Sequence, residues 1–195
     1  MTFPSTTVDR LQAVATETAR MSYPGSMSRG KSPIVKADTK KRLEKYYVSQ
    51  FPIMEVWRSA DSIRNRYDSW HRERASEIAN AIKSQINHPN KAVAVSAKFL
   101  DTFRYHLMKH EWARPLWPAL HLPLDARVFK ALREMKEPTL KPAIHLLNGS
   151  PYILTYEQHQ KIQETLLALL QTLAKDRTTD KVSLTSRIEL NLLWL

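Results

Sequence analysis

Two lysines and an aspartate form the pattern with the most chemistry in this sequence. Lys91 follows the turn Asn87-His88-Pro89-Asn90 and stands in the first turn of a helix predicted from about Asn90 to His110. An ammonium there opposes the positive end of the helix macrodipole, which lowers its pKa and frees a neutral amine for nucleophilic attack on a sugar carbon. Lys98 lies seven residues on, two turns along the same helix face. Asp125 precedes an amphipathic run and is predicted to cap it, a role worth about 1 kcal/mol. A carboxylate fixed at a helix N-terminus beside a cleft also stabilises a developing sugar cation. His121 stands four residues before Asp125 and is expected to line the same pocket. His106 and His110 have i, i+4 spacing, but Leu107 stands where an H-E-x-x-H zinc site needs Glu. His71, His88, His145 and His159 show no local partner pattern. Neither a metal site nor a cofactor is expected.

These residues need a scaffold, and the hydrophobic spacing describes an all-α one of seven or so helices. Thr6–Met21 repeats Val8, Leu11, Ala15 and Ala19. Asp38 is expected to cap a helix to about Gln50 that Pro52 ends, with Leu43, Tyr46 and Tyr47 inward. A long helical pattern runs from Ser59 to about Ile86, with one possible break and with Ile63, Tyr67, Trp70, Ile78 and Ile82 inward. The connector Trp112–Pro123 is rich in Pro and Trp; Trp112 and Trp117 are expected to pack on the core. Helices follow at Ala126–Met135, at Thr155 to about Lys175 and from about Ser183 to Leu195. The whole of 1–195 reads as one domain, two helical lobes around a cleft, with a hairpin element at about 75–104.

The charge balance names the partner class. Thirty Lys+Arg against 19 Asp+Glu leave +11, with a sequence pI near 9.9. The excess is spread along the chain, which suits a folded groove for a polyanion, usually nucleic acid. Arg104 and Arg127 are candidates for phosphate contact, with His88 and Asn90 from the turn. With no Cys, disulfides, thiolate zinc sites and a cysteine nucleophile are excluded. Three Gly cannot write a dinucleotide fingerprint or a P-loop. The apolar runs are too short to span a bilayer, and MTFPSTTVDR has no secretory pattern. A cytoplasmic monomer without a membrane partner is expected.

Four segments, in order, resemble the helix–hairpin–helix DNA glycosylases, and most closely their archaeal 8-oxoguanine (AGOG) branch. They are Lys91-x6-Lys98, Leu122-Pro123-Leu124-Asp125-x-Arg127-Val128, Tyr156-Glu157-Gln158-His159-Gln160-Lys161-Ile162 and Leu192-Leu193-Trp194-Leu195. The resemblance implies excision of a modified base, leaving an abasic site. Lys91 would be the nucleophile, with possible AP lyase activity, Asp125 the catalytic carboxylate, and Trp194 the platform that stacks on the extruded base. Lys98 and His121 would line the substrate pocket. Two departures stand out. Leu190 occupies the position of that branch's base-reading Asp, and the turn NHPN replaces a glycine-bearing hairpin. The expected substrate is either a hypermodified cytosine such as glucosylated hydroxymethylcytosine, in antiviral defence, or an oxidised purine such as 8-oxoguanine, in repair. The alternative is a non-catalytic DNA-binding helical module.

Overall fold

A computed structural model describes residues 5–23, 33–152, 154–176, 186, 187 and 190, with the side chains of residues 5, 6, 91 and 174–176 excepted. The described residues are all-α. Eight helices run in order: α1 Ser5–Met21, α2 Thr39–Ser49, α3 Ile53–Asn65, α4 Tyr67–Ile82, α5 Ala92–Leu107, α6 Ala126–Met135, α7 Ile144–Leu147 and α8 Tyr156–Asp176. Short 3-10 segments cover Lys83–Gln85, Pro89–Lys91, Glu111–Ala119 and Pro138–Ala143. None of the described helices is long and apolar enough to cross a membrane. The helix expected from Ser183 lies largely outside the described residues.

Helix α5 is the axis of the molecule. Ala92, every residue from Ala94 to Asp101, Phe103, Arg104 and Leu107 are buried, so it is covered on nearly all sides. It packs against α4 most extensively, and against α1 and α8. Its Phe103 stacks on Tyr47 of α2 with ring centroids 3.9 Å apart, and Phe51 meets Phe103 edge-on. The apolar stripes expected on α1, α2 and α8 face this core through Leu11, Ala15 and Ala19, Leu43, Tyr46 and Tyr47, and Ile162, Leu166, Leu169 and Leu170. Val8, expected inward, is exposed instead. Trp112 and Trp117 pack on the core, as their spacing implied.

The long pattern from Ser59 is two helices. The chain enters α3 at Ile53, directly after Pro52, whose fixed φ suits a helix start. It breaks at Arg66, where φ is −123°. Asp38 precedes α2 without a side-chain cap and instead approaches Arg42 at 3.6 Å. Thr155 opens α8 with a reciprocal capping box: Gln158 N–H donates to its hydroxyl at 3.2 Å and Thr155 N–H donates to Gln158 Oε1 at 2.8 Å.

The connection between α4 and α5 is held from outside. Lys36 N–H donates to Gln85 O at 2.9 Å and Asn87 N–H to Ile34 O at 3.0 Å, around a Val35–Ile86 bridge. Asn87 Nδ2 adds a bond to Pro33 O at 2.7 Å. The turn that carries His88, Pro89 and Asn90 is therefore anchored at its root, while those three residues stand in solvent.

Candidate active site

The segment from Leu120 to Asp125 is extended, and its backbone is clamped. Gln163 of α8 reads both polar groups of Leu122: Leu122 N–H donates to Oε1 at 3.0 Å and Nε2 donates to Leu122 O at 2.8 Å. Arg187 donates to the carbonyls of Ala119 and Leu120. Leu120, Leu122 and Leu124 are buried between these anchors. The clamp delivers Asp125 to the start of α6 with extended φ and ψ, where Oδ1 accepts from Arg127 N–H at 2.8 Å and Val128 N–H at 2.9 Å. Both cap bonds end on the same oxygen, and the side chain is only half-buried.

Lys98 approaches from α5. It is 6 % exposed, with Nζ 4.4 Å from the centre of the Tyr152 ring. Burial pushes its amine down to about 8, against the opposing attraction of the Asp125 and Asp101 carboxylates. Asp125 is thus near enough to Lys98 to act on its charge. Lys91 ends the 3-10 turn that leads into α5; its side chain, like Trp194, lies outside the described residues.

The remaining candidates divide. His88, Asn90 and Arg127 are exposed, available to a polyanion. Arg104 is not: it is fully buried, its guanidinium between the rings of Tyr67 and Trp70 at 4.7 and 4.5 Å from their centres. The assignment of Arg104 to phosphate contact is therefore corrected. It lies on the inward side of α5, while the next residue, Tyr105, takes the exposed position. His121, expected on a pocket wall, sits 1 % exposed inside a buried polar cluster, with Nε2 2.9 Å from Asp68 Oδ1.

That cluster is what the sequence concealed. His71 of α4, Asp101 of α5, His121 of the connector and His159 of α8 meet behind Lys98. His71 Nε2 lies 2.9 Å from Asp101 Oδ1, and Nδ1 lies 3.0 Å from the Tyr156 hydroxyl. Desolvation pushes His71 down to about 3 and His159 to about 4, and raises Asp101 to about 7. No local signal marks these residues, because four separate elements supply them. His106 and His110, the pair with metal-like spacing, do not join them: His110 stacks on Trp112 instead.

A methionine at position 98 reports the cost of burying the amine. The fall from 10.5 to about 8 corresponds to at most about 3 kcal/mol, less about 1 kcal/mol for the ring contact. Lys98→Met is expected to stabilise the chain by about 1–2 kcal/mol at pH 7 in denaturant titrations. The native pKa is lowered, so the penalty is complete below about 8 and fades as pH rises to 10.5, where the unfolded lysine also loses its proton. The gap between variant and parent should close across that window. A constant gap would place the amine in solvent.

No protein-family model matches the chain, and no curated protein or solved structure matches it either.

Proposed function

We propose that this chain is a DNA N-glycosylase with a helix–hairpin–helix-like fold, which extrudes a modified base from duplex DNA and breaks its N-glycosidic bond. The observation that supports the reading is a buried lysine, Lys98, within the electrostatic reach of a helix-capping carboxylate, Asp125, on the helix that follows Lys91. The excess of 11 positive charges and the exposed turn His88–Asn90 support a polyanionic partner.

A base within the stack is out of reach, so the nucleotide is flipped into the site. As the bond from C1′ to the base nitrogen lengthens, its electron pair leaves with the base, which takes up a proton, and positive charge gathers on the sugar. Asp125 stabilises that charge and receives the proton of the attacking group. The new bond at C1′ comes from water, leaving an abasic site, or from the Lys91 amine, giving a Schiff base from which β-elimination nicks the strand. Trp194 is assigned to stacking on the extruded base. Leu190 is fully buried and does not face a base; the proposed substrate is either a hypermodified cytosine or an oxidised purine.

The test is mass spectrometry of bases freed from a DNA panel containing unmodified bases, 8-oxoguanine, uracil, alkylated bases, hydroxymethylcytosine and its glucosylated forms. Release of one base, lost in Lys91→Ala and Asp125→Asn, is the expected result. Salt-dependent DNA binding without release of any base would leave the non-catalytic binding module. In the same preparations Arg127→Ala should reduce the slope of log affinity against log salt by about 1, whichever reading holds.

A further inference from the structure

The buried histidine cluster plays no part in the proposed chemistry, yet its geometry is that of a coordination sphere. His71, Asp101, His121 and His159 each turn one ligand atom inward, and these four atoms lie within 4.8 Å of one another. Donors about 2.0–2.1 Å from a tetrahedral zinc ion stand about 3.4 Å apart. The distances bracket that value: 2.9 Å from His71 Nε2 to Asp101 Oδ1, 3.4 Å from His159 Nε2 to His121 Nδ1, and 4.0 Å from His121 Nδ1 to Asp101 Oδ1. Asp101 Oδ2 is enclosed without a hydrogen-bond partner, 3.6 Å from His159 Nε2.

Two further contacts point the same way. Ligating histidines characteristically give their other nitrogen to a carboxylate or another polar group, which sets the tautomer. Here His121 Nε2 meets Asp68 Oδ1 at 2.9 Å, and His71 Nδ1 meets the Tyr156 hydroxyl at 3.0 Å. Two cations stand nearby, Arg104 between two aromatic rings and Arg187 on the carbonyls of Ala119 and Leu120; both attract Asp101, and neither makes a hydrogen bond to it. Asp68, the partner of His121, also lines a surface cleft of about 400 Å³, together with Tyr67, Arg64, Arg66 and Arg187.

We propose that His71, Asp101, His121 and His159 bind one zinc-class divalent ion that ties α4, α5, the connector and α8 together. The three imidazoles and one carboxylate suit zinc and its cobalt substitute better than calcium or magnesium, which take oxygen shells. All four ligands are deeply buried, so the ion is structural and the reaction proposed above does not depend on it.

The full-length chain would be stripped with a chelator and titrated with Zn²⁺ and Co²⁺. One equivalent of either is expected, with a tetrahedral Co²⁺ absorption band, a higher melting temperature and X-ray absorption showing imidazole scattering from three ligands. Asp101→Asn and His159→Gln should weaken binding at least about 100-fold, and Asp68→Asn about 10–100-fold through the His121 orientation. His106→Gln should leave it unchanged. No uptake by the parent chain, or fewer than two imidazoles in its absorption spectrum, would overturn the proposal even if the variants failed to fold. So would undiminished binding in folded Asp101→Asn. Base release by the metal-free chain is read separately, so failure of either proposal is distinguishable from failure of the other.

Discussion

If the proposed glycosylase reading holds, Asp125→Asn is expected to lower base release by about 10²–10⁴-fold and to leave the melting temperature within about 2 °C of the parent. The two halves of that expectation have separate causes. Asparagine is as good an N-cap as aspartate, and its side-chain oxygen can accept from the same Arg127 and Val128 N–H groups that Oδ1 serves now. It removes only the charge, and with it the stabilisation of a cationic sugar and the proton acceptor. Asp125→Ala deletes the cap as well. It should match the loss of release and add about 1 kcal/mol of destabilisation, or about 2–4 °C for a chain of this size. Single-turnover assays beside thermal melts separate the effects. Full release by the asparagine variant would reduce Asp125 to a cap and overturn its catalytic assignment.

Arg104→Ala should destabilise the chain by about 3–5 kcal/mol without changing the salt dependence of DNA binding in the folded fraction. The guanidinium fills the space between Tyr67 and Trp70 and attracts the buried Asp101 carboxylate. Truncation leaves a cavity and an uncompensated charge at once. Arg104→Met should recover the cavity part of the loss only: it restores volume, and none of the three guanidinium nitrogens has a hydrogen-bond partner to forfeit, but Asp101 stays without its cation. Urea titrations measure the ranking. A loss of DNA affinity in Arg104→Ala at unchanged midpoint would return this residue to the surface role that its charge first suggested.

What could be read in advance followed from local rules. The run Ala126-Arg127-Val128-Phe129 after Asp125 specifies the start of α6, because an Asp cap and an amphipathic spacing act within a few residues. Helix α8 was equally plain from Ile162, Leu166, Leu169 and Leu170. The sequence marks Pro52 as a stop, and in the structure it also precedes the start of α3. Proline satisfies both, since its missing N–H does no harm in a first turn. The position of Arg104 was illegible for a different reason. Helix α5 is enclosed by α1, α4 and α8, and a helix buried all round has no polar face to announce which arginine is inside.

The same division holds for the chemistry. Side-chain type, charge and turn-by-turn spacing suffice to pair Lys91 with Lys98 and to set Asp125 at a helix start, since those relations run along one stretch of backbone. Lys98 comes under the ring of Tyr152 and the field of Asp125 only through the tertiary fold, since the three residues lie on separate segments. His71, Asp101, His121 and His159 converge only because α4, α5, the Gln163-clamped connector and α8 pack around one point. Backbone hydrogen bonds and caps act over a few residues and can be read in order. Burial, desolvation and ligand geometry depend on atoms far apart in the chain, and packing alone brings those together.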